Sequence, residues 1–220
     1  MPSPSVAAIS LWLVPSAPES ALLQQFMNRH PKPGAEHSFP HFHPHVTLAT
    51  LCPPVASESS SEQRDSTVLT LREAVPLGQR VVPVRFARVV AGDHYYRSVF
   101  VALAPSPELV HLRAALAAAG TPHPPAFPHL SLYYIADEEA HTRERLLQEL
   151  ERENVVRHAA DGQEVVLDCG GAGADTADSG MGYGGALAGF TGTQIWIVDC
   201  EGPVEGWKVL DKILLANSDR

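Results

Sequence analysis

Cysteine is scarce: the 220-residue chain has three, Cys52, Cys169 and Cys200, and none stands in CxxC spacing. So few thiols exclude a disulfide framework and a thiolate zinc site, and they point to a reducing compartment, expected to be the cytoplasm. Basic residues are also in deficit, with 16 Lys and Arg against 25 Asp and Glu for a net charge of -9. That balance argues against coating long nucleic acid or an anionic membrane, while leaving room for a small phosphate-bearing ligand held by a few local donors. A membrane span is not expected either. The apolar run from Val6 to Val14 stops at Pro15 and has no basic residue before it, so it reads as a buried strand rather than a span or a secretory signal. The glycines of 170–189 lack the lysine of a phosphate-binding loop. No cofactor is called for.

What the chain does have is 45% hydrophobic residues, enough to fill one large domain or two small lobes, and a five-residue phrase that occurs twice. The copies are Pro44-His45-Val46-Thr47-Leu48 and Pro128-His129-Leu130-Ser131-Leu132. Each lies in an apolar run of alternating character, so each His and the hydroxyl two residues on should project from one face of a strand.

The surroundings of the two copies match. Strand 6–14 runs into Pro15-Ser16-Ala17-Pro18-Glu19, a strand stop followed by a capping hydroxyl and an acidic first turn, and a helix over 17–29 with Leu22, Leu23, Phe26 and Met27 on one side. A Pro/His-rich loop over 30–43 then leads to the first copy. Strands at 81–92 and 97–105 form a hairpin around Asp93-His94-Tyr95-Tyr96, whose aromatics are candidates to flank a cleft. The second strand ends in Pro105-Ser106-Pro107-Glu108, and a helix over 107–119 and a Pro-rich loop over 122–128 lead to the second copy. Strand, Pro-Ser helix start, loop and Pro-His strand thus recur, which reads as an internal duplication. Elsewhere the pattern predicts a short helix from Ser66 to Val75, a charged helix over 137–151, strands near 163–168 and 192–199, and a last segment with Trp207 packed onto one lobe. Loops near 30–43, 53–65 and 170–189 are expected to be flexible.

Histidine titrates near neutrality, so two of them facing one cleft can divide base and acid duties across a reacting phosphorus. In-line displacement puts the attacking water and the leaving oxygen on opposite sides, and hydroxyls of Thr47 and Ser131 can donate to the non-bridging oxygens. No metal is required in such a scheme. A competing reading takes His41, His43 and His45 as alternating ligands of a metallohydrolase, although no further ligand stands at a defined spacing and Pro44 interrupts the alternation. A third is a module that binds cyclic phosphates or RNA ends without turnover.

His45-Val46-Thr47-Leu48 and His129-Leu130-Ser131-Leu132 resemble the paired motifs of the two-histidine phosphoesterase superfamily. Ser10-Leu11-Trp12-Leu13, the chain length, and Gly202-Pro203-Val204 with Trp207 are similar to its 2′,3′-cyclic-nucleotide phosphodiesterases from fungi and plants. The resemblance implies an α+β fold of two pseudo-symmetric lobes, each an antiparallel sheet with outer helices, facing each other across a central cleft and forming a single domain over 1–220. It implies hydrolysis of a ribose cyclic phosphate to the 2′-phosphate, with ADP-ribose 1″,2″-cyclic phosphate, a tRNA-splicing by-product, as a further substrate. The implied catalytic set is His45, Thr47, His129 and Ser131, acting on a small nucleotide in a monomer. Tyr134 occupies the place of a substrate-holding aromatic, although it lies an odd number of steps from His129 and needs a bend to reach the same face. Trp12 is a candidate to stack on a base.

Overall fold

In the computed structural model both copies of the repeated unit take the same course. Strand β1 (Ile9–Pro15) leads into helix α1 (Ala17–Met27), and the chain returns as β2 (Val46–Leu51), antiparallel to β1. After helix α2 (Ser61–Ala74) and strand β3 (Val82–His94), β4 (Arg97–Ala104) leads into α3 (Pro107–Ala118), and β5 (His129–Tyr133) returns antiparallel to β4. The structure describes residues 8–30, 39–51, 61–121, 127–158, 164–170 and 185–217. The loops expected at 30–43, 53–65 and 170–189 lie largely outside these. Within their described parts, 61–65 belongs to α2 and 186–187 to a strand.

The two helix starts use opposite halves of a capping box. Ser16 precedes α1, and Glu19 accepts from the Ser16 amide at 3.2 Å; Ser106 precedes α3, and its hydroxyl accepts from the Leu109 amide at 3.3 Å. Each satisfies an amide that the first helical turn leaves without an intrahelical partner.

The remaining elements are a 3-10 turn (Asp137–Glu139), helix α4 (His141–Arg152), short strands β6 (Val156–His158), β7 (Val165–Asp168) and β8 (Ala186–Leu187), then β9 (Gly189–Asp199) and β10 (Lys208–Leu214). Two details differ from the sequence reading. α2 begins at Ser61 rather than Ser66. The single helix expected over 137–151 is split, because the buried Arg143 guanidinium donates to the Ile135 carbonyl at 2.9 Å and pairs with Asp137, pinning the turn below α4. The C-terminal segment packs against the rest of the fold as expected, as an edge strand paired with β9 and with Trp207 against the core.

Seven strands form one antiparallel sheet in the order β1-β2-β5-β4-β3-β9-β10, and β9 also pairs with β1, so the order closes on itself. Strands β6, β7 and β8 make a separate small sheet. The fold is α+β, and the two halves meet at two seams, β2 with β5 and β3 with β9. At the second seam the backbones come so close that a Cβ on Gly189 would stand 2.0 Å from the Val84 carbonyl oxygen. Side chains on one face of the strands fill the core: Leu11, Leu13, Val46, Leu48, Val99, Val101, Leu130 and Leu132 are buried there with Leu23 and Phe26 of α1 and Leu109, Leu112 and Leu116 of α3. No helix among the described residues is long and apolar enough to cross a membrane.

Candidate active site

The opposite face of these strands carries the polar members of both motifs. At the first seam β2 and β5 pair through Val46 and Leu130, the residues that separate His from hydroxyl in each copy. The antiparallel direction therefore sets His45 toward Ser131 and Thr47 toward His129, four groups about a local twofold.

Each motif also ends in a bulge. Leu11 and Trp12 pair with Ala49 and Thr47, which leaves Leu48 as the extra residue; Val99 and Phe100 pair with Tyr133 and Ser131, which leaves Leu132 as the extra residue. A bulge inserts one residue and re-aims the side chains beyond it. This resolves the phase problem at Tyr134: with Leu132 in the bulge and the strand ending at Tyr133, Tyr134 comes round to the same wall as Ser131. Tyr133 turns into the core, where its hydroxyl donates to the Phe26 carbonyl at 3.1 Å.

All six residues expected from the sequence line one cavity of about 360 Å³: His45, Thr47, His129, Ser131, Tyr134 and Trp12. That size suits a nucleotide-scale ligand. Both imidazoles are tethered by the same device. His45 Nδ1 lies 2.7 Å from the His43 carbonyl oxygen, and His129 Nδ1 lies 3.3 Å from the Phe127 carbonyl oxygen. A carbonyl only accepts, so each Nδ1 carries the proton and each Nε2 is the nitrogen left for chemistry.

Burial, with lesser contributions from His43 and His129, pushes the His45 imidazole down to about 3 against the opposing pull of the His43 carbonyl. His129 is lowered too, by burial and then the Arg97 charge, with the Phe127 carbonyl opposing. Both rings are therefore neutral at pH 7 in the free protein. The Tyr134 phenol is raised by burial, against its hydrogen bond with Ser131, and stays protonated. The Cys200 thiol in the cavity wall is pushed up to about 12 by burial, so it is not a thiolate nucleophile.

Trp12 reaches the site through His45. The two rings stack at 3.6 Å with an interplanar angle of 10°, and Trp207 meets Trp12 edge-on at 5.7 Å. One indole face is thus covered by the imidazole that it orients. Tyr134 is similarly engaged, stacked on Phe42 at 4.1 Å, so that it enters the wall as a rigid aromatic. The hydroxyls differ: Ser131 donates to the Tyr96 carbonyl at 3.0 Å, whereas among the described residues Thr47 has no protein partner for its hydroxyl.

The metal reading needs correction, because the three alternating histidines diverge. His41 is exposed beside Tyr133, His43 stacks on Trp196 at 4.5 Å, and His45 alone enters the cavity. The physical reason is that residues 39–45 are not a strand, so alternation gives no common face. Among the described residues no cluster of three or more His, Cys, Asp or Glu is arranged to hold a metal ion.

Other wall residues were not picked out by the sequence: Ser10, Thr50, His94, Arg97 and Cys200. Tyr96 and Trp207 also stand in the wall and stack on each other at 6.2 Å, and Tyr95 tilts against Tyr134 at 5.5 Å. Arg97 comes directly after the Tyr95-Tyr96 turn, and a cation beside two turn aromatics was the available signal for it.

The family model for cyclic phosphodiesterase-like proteins matches residues 7–215. No curated protein matches the chain. Similar solved structures include E. coli LigT complexed with NADP+, 14% identical over 96% of this chain and 98% of that one with a TM-score of 0.49. The same protein complexed with 3′-AMP is 14% identical over 96% and 98%, with a TM-score of 0.47. A further structure, described as a phosphoesterase, is 13% identical over 95% and 98%, with a TM-score of 0.49. With the family model spanning both motifs and every strand of the large sheet, the chain belongs to the cyclic phosphodiesterase-like family and is a phosphoesterase of the two-histidine kind.

Proposed function

We propose that the protein hydrolyses 2′,3′-cyclic nucleotides to nucleoside 2′-phosphates, with His45 and His129 as the acid-base pair and no metal in the reaction. The observation that carries this reading is the register of the first seam: Val46 opposite Leu130 brings both His/hydroxyl pairs onto one cavity wall. One Nε2 accepts a proton from water as its oxygen bonds to phosphorus. The other, protonated at Nε2, gives that proton to the ribose 3′ oxygen as its bond to phosphorus breaks. Thr47 and Ser131 donate to the non-bridging oxygens, where transition-state charge gathers. Ser131 must leave the Tyr96 carbonyl to do so, and the Tyr134 phenol steadies it. ADP-ribose 1″,2″-cyclic phosphate carries the same reacting group and is a second substrate on this reading.

The test is incubation with each of the four 2′,3′-cyclic nucleotides in EDTA, with 2′- and 3′-phosphates resolved. The expected outcome is 2′-phosphate at a rate that chelation leaves unchanged. Tight binding without product would instead mark a binding module, and a rate abolished by chelation and restored by a divalent ion would mark a metallohydrolase.

A further inference from the structure

The cavity has a charge problem that the two motifs leave unsolved. A cyclic phosphate is an anion, both histidines are neutral in the free protein, and the two hydroxyls are uncharged. The described residues lining the cavity include no Asp or Glu, and Arg97 is the one Lys or Arg among them. It stands at the start of β4, just past the hairpin turn that also contributes His94 and Tyr96 to the wall. The turn is fixed by backbone: a Cβ on Gly92 would lie 2.0 Å from the Arg97 carbonyl oxygen, so only glycine lets β3 approach at this point.

Arg97 is positioned on the His129 side. Its guanidinium carbon sits 5.6 Å from the centre of the Phe127 ring, and Phe127 supplies the carbonyl that tethers His129. Its charge is felt at the His129 imidazole. Among the described residues its ionic partner is Asp93, at 3.5 Å, and that carboxylate is 91% exposed. An ion pair so open to water holds a guanidinium weakly, so the fork is available to a ligand anion.

Resting on the cyclic-phosphate reading, we propose that Arg97 is a substrate-binding residue that meets the reacting phosphate beside His129 and supplies the positive charge that selects a phosphate anion. An incoming phosphate displaces Asp93 and takes a charge-assisted hydrogen bond from the guanidinium. Because the anion is present before and during reaction, the contact acts mainly on binding.

The test compares wild-type protein, R97Q and R97K by calorimetric titration with 2′-AMP and with adenosine, beside kcat and KM for 2′,3′-cyclic AMP. Thermal unfolding of each variant verifies that the hairpin is intact. R97Q is expected to weaken 2′-AMP binding about tenfold to a hundredfold and to flatten its dependence on salt, with adenosine binding unchanged. KM should rise more than kcat falls, and R97K should recover part of the loss, keeping the charge without the fork. A folded R97Q that binds 2′-AMP as tightly as wild type overturns the inference, even where wild type turns the cyclic nucleotide over. A selective loss of 2′-AMP binding in R97Q, in a wild type that hydrolyses no cyclic nucleotide, upholds the anion site and overturns the hydrolase.

Discussion

The first copy of the motif holds its histidine behind an indole and under cover, whereas the second holds it at the half-open side of the cavity beside a cation. His45 is 4% exposed, stacked face to face on Trp12 and tethered at 2.7 Å; His129 meets Phe100 edge-on at 5.3 Å and is tethered at 3.3 Å. Trp12 and Phe100 are counterparts, each opposite the motif hydroxyl on the neighbouring strand. The two copies thus share the backbone device of tether, bulge and opposing aromatic, while the side chains around each imidazole differ. Equal placement with unequal surroundings is how two like groups come to hold different proton roles.

Removing either imidazole should have the largest effect. His45→Ala and His129→Ala are each expected to lower kcat/KM for 2′,3′-cyclic AMP by about two to four orders of magnitude, as measured with protein shown to be folded. The next largest effect separates the two aromatics. Trp12→Leu should lower kcat by roughly tenfold or more, because it frees the His45 ring, while Phe100→Leu should cost only a few-fold, since an edge contact guides His129 more loosely. Equal losses would mean that stacking is not what distinguishes the copies.

Smaller still are the hydroxyls. Thr47→Ala should reduce kcat about twofold to threefold, and Ser131→Ala less, since the Ser131 proton is already given to the Tyr96 carbonyl and must be released. The reverse order in steady-state kinetics would break this part of the comparison.

The pH profile sharpens the comparison without any substitution. A base must be deprotonated and an acid protonated in the free enzyme, and both imidazoles are lowered, His45 to about 3. The bell of kcat/KM should therefore centre on the acid side of the ordinary histidine value, about 6.5. A bell centred at or above pH 7 would contradict the buried neutral pair.

The repeated order of elements is legible in the sequence because helix starts, prolines and the two tetrapeptides are local signals. Two Pro-Ser-acid helix starts and two Pro-His strands are enough to order the elements. It showed neither bulge, since Leu48 and Leu132 look like ordinary core residues and only pairing with β1 and β4 reveals them as extra. For the same reason Tyr134 was out of phase on paper. Trp12 stood out as an aromatic on a strand, but its stack on His45 depends on the β1–β2 register. Arg97 has no counterpart in the repeat to draw notice. The closure of the sheet through β9 joins residues far apart in the chain, which no local pattern encodes.

The most direct test of the claim that two similar motifs form one site is the double variant His45→Ala/His129→Ala measured beside its two parents on 2′,3′-cyclic AMP. Groups that act as a unit give losses that do not add. The account predicts that each single variant loses nearly as much as the double. Near-normal turnover in either single variant, or losses that multiply in the double, would mean that the two histidines do not work on one phosphate.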